Sequence, residues 1–322
     1  MTVLPAFLDA HVHLALIDPA QLAAGGIGRV LDLGGWTPAG TDGSTTRSTA
    51  NVPEAHFAGQ FLGAPGGYPS RQAWAPPGSS CPVASPAEAA DSVARQAATG
   101  ASLIKVTLNS AAGPVLDADT LSAIVTAAHE RMLPVVAHTE GPGQAAAAFD
   151  AGVDLLAHTP FTERLPDALL GAMAGRITWI STLDIHGWGE PTAAFHVAAD
   201  NLARFHSVGG RVLYGTDLGN GPLPVGLNRR EIAALLACGL SPDEVLTALT
   251  ADVPGYPHDS GIRPAGPHRV TVIPGDRPTD PHDLAGFTDW LLSAHSVPAH
   301  ALPAPALPAH ALPRPDLEDH ES

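Results

Sequence analysis

Positive charge is scarce in this chain, and lysine is almost missing. The 322 residues hold 16 Lys+Arg against 32 Asp+Glu, a formal net charge of −16, and a single lysine, Lys105. With so little to neutralise phosphates, a nucleic-acid partner is excluded. Two cysteines, Cys81 and Cys238, are too few for a disulfide framework or a four-thiolate zinc site. No apolar run approaches the roughly 18 residues of a membrane span. The opening MTVLPAFLDA lacks the charged start of a signal peptide, so a cytoplasmic location without membrane contact is expected. What is plentiful is apolar surface, 45% of residues, enough for a sizeable core. Glycine (33) and proline (32) add many loops without making the chain low-complexity.

Apolar runs bounded by Gly, Pro and polar breaks alternate with Ala-rich helical patterns. Candidate strands are 6–14, 28–34, 55–62, 102–108, 133–138, 153–158, 177–183 and 211–217. In SPAEAADSVARQAATG, Ser85 reads as a cap, Pro86 as the opening and Gly100 as the close of a helix. Strand–helix alternation means a parallel sheet, and eight strands about 29 residues apart predict an α/β fold of the (β/α)8 TIM-barrel type. Two long loops, 36–54 and 63–85, fall where such barrels keep their sites. The barrel is expected over 1–260. From 290 to 322 a Pro/Ala-rich, then acidic, sequence predicts an extended, mobile tail.

The polar residues that interrupt the strands carry the chemistry. His11 and His13 lie two apart on one strand and share a face. Lys105 sits inside the apolar run ASLIKVTLN, where a buried lysine needs a reason. His138, His158 and Asp217 each end a strand, and in a β/α barrel those ends converge on one rim. Imidazoles and a carboxylate gathered there suit zinc or a similar divalent ion. His186, in DIHGWGE, is a candidate for contacting substrate or a developing oxyanion. Glu140 faces the same way as His138 and is a candidate for binding a substrate cation or donating a proton. Trp188, Tyr68, Trp36 and Trp74 are loop aromatics suited to lining an apolar or peptide-like pocket. His56, His129, His196 and His206 read as structural or exposed.

The segments FLDAHVHL and AHTEGPGQAAAAFDAGVDLLAHTPF, with IKV around Lys105 and LYGTDLG around Asp217, resemble the metal motifs of the amidohydrolase superfamily, in its imidazolonepropionase-like and prolidase-like branch. The resemblance implies two divalent metal ions, zinc first, with manganese, iron, cobalt or nickel as alternatives. It places His11, His13 and Asp217 on the more buried ion and His138 and His158 on the more exposed one. Lys105 would bridge them as a carbamate formed with CO₂, which arginine cannot supply. Paired cations turn a shared water into a bridging hydroxide, and Asp217 moves its proton. Family members commonly carry a flanking β-sandwich; with the first motif at residue 11, this subdomain is expected to be absent or vestigial. Residues 261–289 would hold a C-terminal remnant and a closing helix. Where the nearest branch often has a second histidine, two after the first, this chain has Glu140.

These readings lead to a hydrolase of an amide-type C–N bond in an amide, cyclic amide or modified peptide. Lactone, ester or phosphotriester hydrolysis on the same dinuclear site stays open, as does a non-catalytic metal-binding protein. A deaminase needs an acid three residues after His138, and that position is Gly141. The expected partner is a small-molecule or modified-peptide substrate, with homo-oligomerisation left open.

Overall fold

The computed structural model describes residues 1–35, 53–253 and 268–302. The first half of the chain supplies strands β1 (Thr2–Pro5), β2 (Phe7–Val12), β3 (Ile27–Asp32), β4 (Glu54–Phe57), β5 (Phe61–Gly63), β6 (Ser80–Pro82), β7 (Ile104–Asn109) and β8 (Val135–Glu140). There follow β9 (Leu155–Leu156), β10 (Thr178–Ile180), β11 (Arg211–Leu213), β12 (Arg269–Ile273) and β13 (His295–Pro298). The helices are α1 (Ala20–Ala24), α2 (Pro86–Ala98), α3 (Ala118–His129), α4 (Gln144–Asp150), α5 (Asp167–Ala174), α6 (Ala193–Ser207), α7 (Arg229–Ala237), α8 (Pro242–Thr250) and α9 (Leu284–Leu292).

Strand and helix alternate as the sequence predicts, and the result is an α/β fold. Seven strands pair in parallel in the order β11-β10-β9-β8-β7-β5-β6, and β2-β3-β4 form a second parallel sheet. The predicted strand 55–62 is divided into β4 and β5, one in each sheet. At the other margin, Ala10 N donates to Tyr214 O (2.9 Å) and His13 N to Leu218 O (2.8 Å), which ties β2 to the segment after β11. Because the parallel strands are covered on both faces, they read as apolar runs rather than alternations. One face contributes Leu8, Leu31, Leu103, Val136, Ile180 and Leu213 to a single buried cluster. The opposite face packs on the helices, where Trp179 stacks on Phe205 with ring centroids 3.9 Å apart.

Three expectations need correction. The 63–85 loop contains a strand, β6, which extends the sheet beside β5 (Leu62 opposite Cys81). Flanking structure from the N-terminal side is present: β1 pairs antiparallel with β12, from Thr2↔Ile273 to Pro5↔Val270, and β13 completes a three-stranded sheet. Four residues ending in proline gave no readable alternation, and their partner lies some 270 residues away. Nor does an extended tail begin at 290, because α9 runs to Leu292 and β13 pairs with β12 up to Pro298. Buried Trp290 and Leu291 anchor that stretch. Most of loop 36–54, with Trp36, lies outside the described residues, as do 254–267 and 303–322.

Candidate metal centre

β2 delivers His11, and His13 follows directly after it; both are buried. A carboxylate the sequence reading passed over, Asp9, fixes this strand end. Its Oδ1 accepts from His11 N (3.1 Å) and Thr216 N (3.0 Å), and its Oδ2 from Thr216 Oγ1 (2.6 Å). Asp9 thereby clamps β2 to the turn that presents Asp217. Asp217 sits at φ 57°, a left-handed conformation that aspartate tolerates better than most residues. Asn220 Nδ2 donates to its Oδ2 (2.9 Å) and leaves Oδ1 facing His11 Nε2 at 3.1 Å and His13 Nε2 at 3.2 Å.

The outer nitrogens of these rings settle their tautomers. His11 Nδ1 lies 2.8 Å from Ala157 O and His13 Nδ1 3.0 Å from Gly34 O. A carbonyl only accepts, so each Nδ1 carries a proton, and in His11, kept neutral by burial, Nε2 is left with a lone pair. His11 Nε2 and Asp217 Oδ1 are both fully buried, and neither has a hydrogen-bond partner. Two acceptors held 3.1 Å apart without a proton between them are what a shared cation requires. Among the described residues, His11, His13 and Asp217 bring ligand atoms within 4.8 Å of one another.

A second pair lies alongside. His158 Nε2 and His138 Nδ1 face each other at 3.1 Å. Outside them, His158 Nδ1 meets Thr182 Oγ1 (2.9 Å) and His138 Nε2 meets Glu140 Oε2 (3.4 Å). The rings of His11 and His158 are 4.7 Å apart, so the two pairs adjoin. Lys105 is buried and lines the same cavity. Burial lowers its amine to about 7, against the opposing pull of Asp217 and Asp32, so much of it is unprotonated and nucleophilic near neutrality. Burial alone would raise Asp217, but it is carried well below the usual carboxylate range, with the adjacent His13 imidazole, itself raised, among the causes. His11, His138 and His158 are lowered chiefly by burial, which keeps them neutral and able to ligate.

A small cavity opens over these groups. Its wall includes Phe61, Thr107, Asn220 and, of the residues singled out for substrate, Tyr68 and Trp74. Tyr68 stacks on His138 at 4.8 Å, and burial pushes its phenol up, so it keeps its proton. Glu140, His186 and Trp188 do not line this cavity. His186 ends a one-turn 3-10 helix, Asp184–His186, with its ring 4.2 Å from that of Phe161. Its Nε2 is buried and unpartnered, and burial lowers the imidazole to about 4. Trp188 is 47% exposed, at φ 50°, with its indole against Gly221.

That turn is braced from α7 in both directions. Glu231, fully buried, accepts from Leu183 N (3.0 Å) and Asp184 N (2.8 Å). In return, Asp184 accepts from Asn228 Nδ2 (2.7 Å) and Arg230 Nε (2.8 Å). Glu231→Ala leaves two buried amides unpaired and is expected to lower stability by about 2–6 kcal/mol. Urea denaturation of the wild-type and variant proteins measures this; a shift under about 1 kcal/mol would mean water replaces the carboxylate.

The model of the amidohydrolase family matches residues 2–254. The chain belongs to the amidohydrolase family. It is an enzyme, a hydrolase acting on carbon–nitrogen bonds. No curated protein sequence matches this amidohydrolase, but solved structures resemble it in fold. The ochratoxinase of A. niger superposes with a TM-score of 0.68 at 19% identity, over 91% of this chain and 81% of that one. An Xaa-Pro dipeptidase with bound methionine gives 0.66 at 17%, over 91% and 84%. Molinate hydrolase gives 0.63 at 18%, over 97% and 86%. Among the described residues, no helix is long and apolar enough to cross a membrane.

Proposed function

We propose that this amidohydrolase holds two divalent metal ions, zinc in first place, and hydrolyses an amide-type C–N bond in a small or dipeptide-sized substrate. The observation that carries the reading is the buried, unpartnered pair His11 Nε2 and Asp217 Oδ1, beside the facing pair His138 and His158. His11, His13 and Asp217 would hold one ion, His138 and His158 the other, with Lys105 bridging as its carbamate. When bound, such ions acidify a water and polarise the scissile carbonyl. The strands would close as an eight-stranded barrel, a reading supported by the bonds between β2 and the segment after β11.

The chain's own groups do the rest. Asp217, with Oδ2 tethered by Asn220, accepts the proton of the attacking water and returns it to the leaving nitrogen. Phe61, Tyr68 and Trp74 line one wall, exclude water and receive an apolar or aromatic group. Tyr68 retains its phenolic proton as a donor to substrate oxygen, and His186 offers a neutral imidazole beside Phe161. A dipeptidase and a molinate hydrolase among the fold neighbours support a substrate of this size. Unpaired Cys81 and Cys238 accord with work in the cytoplasm.

Elemental analysis of the purified protein, followed by a panel of N-acyl amides, cyclic amides, Xaa-Pro dipeptides, lactones and phosphotriesters, tests the proposal. Two ions per chain and turnover of at least one amide are expected. Turnover confined to lactones or phosphotriesters would replace the amide reading. A protein without metal after zinc or manganese supplementation would overturn it.

A further inference from the structure

We propose that Glu140 is a positioning residue that sets the affinity of the second metal position by orienting His138, and does not itself bind substrate. The inference rests on the dinuclear reading above. β7 and β8 pair in register so that Thr107 lies opposite His138 and Asn109 opposite Glu140. Glu140, two residues beyond His138 on the same face, brings Oε2 to 3.4 Å from His138 Nε2. A carboxylate only accepts, so Nε2 carries the proton and the lone pair is placed on Nδ1, the atom that faces His158. A carboxylate on the outer N–H of a ligating imidazole fixes the ring and raises its basicity.

Glu140 is held in turn by Asn109, whose Nδ2 donates to the same Oε2 at 2.6 Å. Asn109 has no freedom to flip, because its Oδ1 accepts from Ala111 N (3.1 Å) and Ala112 N (2.9 Å). The relay therefore runs from two backbone amides through Asn109 and Glu140, neither of which lines the cavity, to one imidazole that does. Of the four imidazoles at this centre, His138 alone has its outer nitrogen on a charged acceptor; the others use carbonyls or a hydroxyl. The two metal positions are thus supported differently, and removing the carboxylate acts on one of them.

Zinc titration of metal-free protein against a chromophoric chelator, in bicarbonate-containing buffer, tests this. In Glu140→Ala the second equivalent is expected to bind about 10–100-fold more weakly, with the first unchanged. Glu140→Gln keeps an acceptor and loses only the charge, so it should fall between Ala and wild type. Asn109→Ala should move in the same direction by less, and the double variant should be no worse than Glu140→Ala alone, since Asn109 acts through Glu140. Unchanged binding of both ions in Glu140→Ala, with a raised KM, would overturn the proposal and make Glu140 a substrate contact. Equal weakening of both ions would also overturn it, as general loosening. A wild-type protein that takes up one ion only would remove the dinuclear reading, and this proposal with it.

Discussion

Lys105→Met is expected to lower the metal content from two ions to one per chain and to reduce kcat by about 10³-fold or more, since paired ions contribute several kcal/mol of transition-state charge stabilisation. Methionine fills nearly the same volume in an apolar setting, so packing around β7 is preserved and the loss is chemical rather than structural. Lys105→Arg sharpens the test. It keeps the positive charge but has no amine to combine with CO₂, so a bridging carbamate predicts that Arg fails like Met, whereas an ion-pairing lysine predicts that Arg retains activity. As the chain holds one lysine, ¹³C-labelled bicarbonate should give a single side-chain carbamate resonance that disappears in both variants. Two retained ions and near-normal turnover in Lys105→Met would reduce this residue to a packing role.

Asp217→Asn should also be severe, with kcat down by about 10²–10⁴-fold, the range spanned by loss of a positioned acid–base group. Two effects combine. The amide cannot take a proton from water, and the buried centre loses the anion facing His11 and His13. The first ion should therefore also bind more weakly in the titration, while KM for an uncharged amide changes little, since the aromatic wall is untouched. Stopped-assay kinetics with metal in excess separate these effects. A variant that keeps more than about a tenth of wild-type turnover would remove Asp217 from the proton path.

The centre was legible because of where it lies. In strands buried on both faces, an imidazole, an amine or a carboxylate stands out against an apolar run, which is how His11, Lys105, His138 and Asp217 could be picked out. Asp9 sits in the same run and was missed. Its carboxylate is satisfied by Thr216, 207 residues away, and nothing local announces that partner. Glu231 was hidden differently, on an amphipathic helix where an acid is ordinary; only the tertiary fold turns it inward onto Leu183 and Asp184. Glu140 was visible, but the role proposed for it above was not. Its spacing from His138 gave the shared face, while the role depends on Asn109 from the neighbouring strand and on which nitrogen of the ring carries the proton. The pairing of β1 with β12 was beyond reach for the same reason as Asp9: the partners meet only in the finished fold.

That pairing bears on the order in which the molecule assembles. The parallel strands each join a neighbour about one unit away in the chain, whereas Thr2 must find Ile273. Loop closure over such a span carries the largest entropic cost in the fold, so this three-stranded seam should zip up after the α/β body has condensed and should part before it. Amide protons of β1 and β12 are then expected to exchange through a lower-energy opening than those of β7 and β8, a difference hydrogen-exchange mass spectrometry would resolve peptide by peptide.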